Sequence, residues 1–252
     1  MAKRKKVTPK VDNFANQPAK KPAREKRLVP KNALNHITLN EKQKELLKII
    51  EKNQIITIYG PSGTSKTFLD CFYAIKGLIT HKYDKIIFSK PLEESGENLG
   101  FLPGGISEKM SPFMDSYKSN ILKMISKPNL EKLIKDEIID FRPLAFMRGA
   151  TFDNSLMILD EAQNANLTKL MLFVTRMGID SKVIISGDVR QYDIKKKEVG
   201  VLFFKEMIKD IPGVAEFEFT KDDIVRNEIL KAIVERYEDF KEDENFPQSH
   251  NN

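Results

Sequence analysis

Short, apolar, β-prone runs that alternate with longer helical stretches constrain this chain more than any other feature. The runs are Ile55–Tyr59, Lys85–Ser89, Leu156–Leu159, Val183–Ser186 and Ala215–Phe219, each four or five residues long and mostly apolar, as strands buried on both faces are. Between them lie segments such as 40–52, 66–79 and 167–177, in which apolar positions recur three and four residues apart, the spacing of one helix face. The alternation predicts an α/β fold, a three-layer sandwich with a mainly parallel sheet and helices on both faces. No internal repeat is visible.

The two ends break this rhythm. Residues 1–31 carry eleven Lys or Arg against Asp12 and Glu25, together with Pro9, Pro18, Pro22 and Pro30. Such a segment buries too little surface to offset its ordering entropy, so 1–37 is expected to be a disordered basic arm ahead of a domain at 38–237. Residues 238–252 hold five acidic residues against Lys241 and are expected to form a flexible acidic tail. The formal net charge of +6 therefore belongs to the arm, and the rest of the chain is slightly acidic. The arm reads either as a salt-sensitive tether for nucleic acid or as a solubilising extension.

A single cysteine, Cys71, excludes an intramolecular disulfide. No run of about 18 apolar residues is present to span a bilayer, and the basic start MAKRKK is followed by no apolar stretch of the kind a signal peptide needs. These features predict an intracellular, cytoplasmic protein with no membrane partner. The stretch from Pro91 to Arg148, with Gly96, Gly100, Gly104, Gly105 and two helical segments, reads as an insertion or specialised connection, a place for function-specific contacts.

Chemistry enters at strand ends. After IITIY comes Gly60-Pro61-Ser62-Gly63-Thr64-Ser65-Lys66-Thr67 and then a helix, the context of a phosphate-binding loop. A tight turn at a helix N-terminus aims backbone N–H groups and the positive end of the macrodipole at one point. Lys66 then reaches the β- and γ-phosphates, and the Thr67 hydroxyl binds Mg²⁺. The usual pattern has Gly where this chain has Ser65, and a Gly/Ser-rich turn without a ligand is the competing reading.

The run LMILD delivers Asp160 and Glu161 at a strand's C-terminal end, where ligands of open parallel sheets bind. Asp160 suits Mg²⁺ and Glu161 the attacking water; the alternative is that the pair merely caps the next helix. Gln191, beyond KVIISGD, is a candidate γ-phosphate sensor, with a solvated turn as the alternative. Arg226 and Arg148 are candidates for an arginine that neutralises transition-state charge, unless they serve in surface or structural ion pairs. Supplied in trans, such an arginine requires head-to-tail packing and a homo-oligomeric ring. Thr220-Lys221-Asp222-Asp223 imitates a guanine-reading motif, but Asp160 is followed by Glu-Ala-Gln rather than the expected glycine pattern. The aromatic residues lie mostly in apolar segments and read as core.

The segments GPSGTSKTFL, SKPLEESGENLGFLPGGISEKMSPFMDSY, FRPLAFMRGATFDNSLMILDEAQNAN, LFVTRMGIDSKVIISGDVRQYD and FTKDDIVRNEILKAIVERY resemble, in order and spacing, the PhoH family of P-loop ATPases. The resemblance runs from about Thr38 to Tyr237. It implies a P-loop NTPase domain of the kind at the core of superfamily 1 helicases, without the second motor domain. It also implies ATP and Mg²⁺ as ligands and a role linked to nucleic acid, with single-stranded RNA as the favoured partner. By the same resemblance the phosphate loop falls on Gly60 to Thr67, the carboxylates on Asp160 and Glu161, and the sensing glutamine on Gln191, while Gln43 matches the glutamine that reads adenine. The departures are Ser65 for Gly and Lys90 where the family generally has Arg before Pro91. The expected activity is Mg²⁺-dependent ATP hydrolysis coupled to RNA remodelling. The alternative is a nucleotide-dependent assembly switch with slow turnover and no motor activity.

Overall fold

The computed structural model describes residues 29–91, 111–188 and 200–225, with positions 229, 232, 233 and 236 beyond them. Gln191 and Arg226 lie outside the described residues, as do all of 238–252 and the arm up to residue 28.

The first helix, α1 (Glu41–Lys52), begins with Asn40 and Gln43 closing a reciprocal capping box, and it buries Leu46, Leu47 and Ile50. Residues 60–65, the expected phosphate loop, join β1 (Ile55–Tyr59) to α2 (Lys66–Ile79). Next come β2 (Lys85–Ser89), α3 (Ser111–Ile121), α4 (Lys127–Lys135) and β3 (Ile139–Phe141). A 3₁₀ turn at Leu144–Met147 precedes β4 (Ser155–Leu159), and another at Ala162–Asn164 precedes α5 (Leu167–Val174). The described chain closes with β5 (Lys182–Gly187), α6 (Gly200–Ile208), β6 (Val214–Glu218) and a 3₁₀ turn at Lys221–Asp223.

Among the described residues six strands form one sheet in the order β3-β2-β4-β5-β1-β6, and every pairing is parallel. Strand side chains alternate between faces, and the core divides accordingly. Ile56, Ile58, Ile86, Phe88, Leu156, Ile158 and Ile184 pack with α1, α2, α3 and α4 on one face. Ile87, Met157, Leu159, Val183 and Ile185 pack with α5, α6 and the turn at Leu144–Met147 on the other. This is the three-layer α/β sandwich that the apolar alternation predicts.

Three expectations shift. The 91–148 stretch contains β3, which escapes periodicity because it is three residues long and carries Asp140; β2 supplies its pairing, and Lys85 and Arg142 neutralise the carboxylate at 3.3 and 2.8 Å. The helix expected over 167–177 ends at Val174, because Met177 is drawn into a bridge with Phe152. Residues 29–37, expected within the disordered arm, pack on the domain: Val29 is 4% exposed, Leu34 and Ile37 lie against the same core, and His36 Nε2 meets Lys123 O at 2.8 Å. Sparse apolar residues hid this segment, whose few side chains are anchored by distant elements.

Candidate functional site

Parallel pairing places the C-terminal ends of β2, β4, β5 and β1 at one edge of the sheet, with Ser89 opposite Leu159 and Tyr59 opposite Gly187. Each chemistry-bearing segment follows one of these ends. β5 lies between β1 and β4, so the loop and the carboxylates leave strands about 10 Å apart, and α2 closes that gap.

The loop is shaped by backbone. Gly60 takes φ 150°, and a Cβ there would meet Phe219 Cβ at 2.6 Å and Phe219 O at 2.9 Å. The chain beyond β6 braces the loop, since Phe219 N donates to Tyr59 O at 2.8 Å and Val225 N to Gly63 O at 3.2 Å. Thr64 Oγ1 donates to Pro61 O at 2.9 Å. Ser65 is the N-cap of α2 with φ 68° and ψ 24°, which gives the physical reason for glycine in the usual pattern: this position is left-handed.

Lys66 folds its ammonium back onto Gly60 O at 2.6 Å and Pro61 O at 3.0 Å. Burial pushes its pKa down, opposed by the carboxylates of Asp188, Asp160, Glu161 and Asp70. Thr67 Oγ1 donates to Asp160 Oδ2 at 2.8 Å, which joins the phosphate-loop helix to the strand two places away. Asp160 Oδ1 accepts the Glu161 N–H at 3.0 Å, and its Oδ2 lies 3.5 Å from Lys90 Nζ. The hard oxygen pair of Thr67 and Asp160 fits Mg²⁺, which is commonly held by one or two protein oxygens plus substrate phosphates and water. Among the described residues no group of three His, Cys, Asp or Glu forms a richer cation cage.

Glu161 stands in the left-handed region at φ 55°, which turns the chain sharply after β4. Gln163 Nε2 donates to Glu161 Oε2 at 2.6 Å, and Gln163 Oε1 accepts from Asp188 N at 2.9 Å. Gln163 thus ties the carboxylate to Asp188, the residue after β5 and three before Gln191 in sequence. The sequence reading gave it no role; its position two residues after Glu161 in DEAQ was the available signal.

The remaining expected residues are placed less decisively. Gln43 is buried, and its Oε1 accepts from Asn40 N at 3.1 Å, so the side chain matched to adenine reading serves the α1 cap here. Arg148 is exposed just past the turn at Leu144–Met147, and no contact joins it to the loop among the described residues. Asp223 accepts from Thr220 N at 2.7 Å and Thr220 Oγ1 at 3.1 Å, so the guanine-like motif forms a local cap.

The sequence model of the family described as PhoH-like protein matches residues 37–238. The chain belongs to the PhoH-like family. A PhoH-like protein of Bacillus subtilis is 38% identical over 197 residues, covering 78% of this chain and 62% of that protein. One of Synechocystis is 36% identical over 198 residues, covering 78% of this chain and 60% of that protein. The chain therefore spans about three fifths of the length of these PhoH-like relatives. Among solved structures, the large terminase of a thermophilic bacteriophage superposes with a TM-score of 0.53 at 11% identity, over 81% of this chain and 50% of that one. At that identity the likeness speaks for the fold alone. The PhoH-like chain has an α/β core of the P-loop fold, and among its described residues no helix is long and apolar enough to cross a membrane.

Proposed function

We propose that this protein hydrolyses ATP with Mg²⁺ and couples the hydrolysis to remodelling of single-stranded nucleic acid, RNA first, as a homo-oligomeric ring. The observation that carries the hydrolytic reading is the 2.8 Å bond from Thr67 to Asp160, because it joins the phosphate-loop helix to the carboxylate strand. Lys66 exchanges the Gly60 and Pro61 carbonyls for phosphate oxygens and stabilises charge there. Thr67 and Asp160 would hold Mg²⁺, which when bound neutralises charge on the β- and γ-phosphate oxygens. Glu161, fixed by Gln163, orients the attacking water, and Gln191 reads the γ-phosphate. Gln43 is assigned to adenine through its Nε2, since Oε1 is held by Asn40.

Arg148 or Arg226 completes the site from a neighbouring subunit. The exposure of Arg148 supports the first. The basic arm holds nucleic acid near the ring.

The test is phosphate release with and without single-stranded RNA or DNA, comparing wild type with Lys66→Ala and Glu161→Gln. The expected result is RNA-stimulated turnover, with a loss of about 100-fold or more in either variant. Equal turnover in all three proteins rejects the site. Turnover that RNA and DNA leave unchanged favours the assembly-switch reading, and a purely monomeric species by light scattering with ATP and Mg²⁺ rejects the ring.

A further inference from the structure

Lys90 lies at the end of β2 and belongs to none of the roles assigned above. Its ammonium is 3.5 Å from Asp160 Oδ2, with the two side chains 16% and 4% exposed. The same ammonium donates to Ser116 Oγ on α3 at 2.9 Å and stands 4.9 Å from the ring centroid of Tyr117. The neighbouring residue also reaches α3: Ser89 O accepts the Tyr117 hydroxyl at 2.8 Å, as well as the Asp160 N–H at 3.0 Å. The β2 end, the carboxylate and α3 are therefore tied together at one point.

A buried carboxylate needs counter-charge, and Asp160 finds it in Lys90. Its Oδ2 already takes the Thr67 hydroxyl, leaving room on that oxygen for one more partner. A divalent cation held by Thr67 and Asp160 needs the place beside that oxygen, and an ammonium at this distance repels it. The cation and Lys90 are thus alternatives on Asp160. When the cation arrives, Lys90 keeps Ser116 and the Tyr117 face, both on α3.

We propose that Lys90 is a positioning residue that holds Asp160 in place of the metal and, when the metal displaces it, passes that occupancy to α3 through Ser116. The proposal rests on the assignment of Asp160 and Thr67 to the metal. Ser116 and Lys90 flank residues 92–110, so the two chain ends of that stretch are joined by the hydrogen bond that Lys90 keeps when the metal releases it from Asp160.

The test uses the full chain and Mn²⁺ as probe, alone and with ADP, with bound metal counted by electron paramagnetic resonance. Lys90→Met and Lys90→Gln should both bind Mn²⁺ about five-fold more tightly than wild type, while Lys90→Arg stays within about two-fold. Hydrogen exchange across 111–121 should change on Mn²⁺ addition in wild type and stay constant in Lys90→Met. Asp160→Asn distinguishes the two layers. If it abolishes Mn²⁺ binding while the Lys90 variants bind no better than wild type, the place-holder role is overturned and the metal site stands. If Asp160→Asn binds Mn²⁺ like wild type, the metal assignment fails and the proposal with it.

Discussion

Ser65 and Asp70 are the residues at which this chain stores cost beside its phosphate loop. Ser65 holds φ 68° where a side chain is disfavoured by about 1–2 kcal/mol. Ser65→Gly should therefore raise stability by up to about 1 kcal/mol, and Ser65→Val should lower it by more than 1 kcal/mol, read from denaturant midpoints. Asp70, one turn beyond Lys66 on α2, is fully buried, and among the described residues neither carboxyl oxygen has a partner within hydrogen-bond geometry. Burial, then the nearby Asp160 charge, pushes its pKa well up, and the Ser186 hydroxyl beside it only partly opposes this. The unfolded carboxyl ionises near pH 4 while the folded one stays protonated, so the folded state binds the extra proton and stability falls as pH rises above that point. Asp70→Asn removes this term. The stability difference, variant minus wild type, should grow by up to about 1.4 kcal/mol per pH unit above pH 4, until the folded Asp70 itself ionises. Parallel curves for the two proteins would contradict a neutral, buried Asp70.

At the scale of elements, the C-terminus of α1 is closed by a side chain from another layer. Lys182, at the start of β5 and only 6% exposed, donates to Ile50 O and Asn53 O, covering carbonyls that the helix itself leaves without partners. Burial, and then the Lys82 charge, lower its pKa to about 8, against a partial counter-effect from Glu51. Between about pH 8 and the unfolded value near 10.4, the unfolded chain binds more protons, so this group makes stability rise with pH. Lys182→Met should lower stability overall, because two carbonyls lose their donor, and should remove the rise over that window. Melting temperatures from pH 7.5 to 10.5 for both proteins provide the check, and an unchanged pH slope would mean that the ammonium is not desolvated. The same pattern of remote support recurs at the phosphate loop, where the chain after β6 holds Gly60 and Gly63.

For the whole molecule, the division between arm and domain moves toward the N-terminus. Val29 is buried, and Ala33, Leu34 and Ile37 pack against the core formed with α1 and α2. Removing residues 1–28 should leave thermal stability unchanged within about 0.5 kcal/mol and weaken RNA binding at low salt, as loss of basic contacts requires. Removing 1–37 should cost a further 2–4 kcal/mol or so, because several apolar side chains leave the core. Equal stability of the two truncated proteins would contradict the packing of 29–37, and unchanged RNA affinity at low salt would remove the tether.

Local patterns in the sequence determined the alternation of strands and helices, the glycine-containing turn between β1 and α2 and the two carboxylates after β4, because each is written in residues close together in the chain. The short apolar runs match β1 and β2 residue for residue, and α2 runs over its expected span of 66–79. Tertiary structure alone decided that β5 separates the loop strand from the carboxylate strand and that Thr67 bridges the gap. It also decided that Gln163 fixes Glu161, that Lys90 neutralises Asp160 and that Lys182 caps α1. Each of these joins residues from different elements, or gives a polar residue a partner that composition cannot name. The physical reason is range: periodicity and turn chemistry act over a few residues, whereas the pairing of buried charges depends on which strands become neighbours.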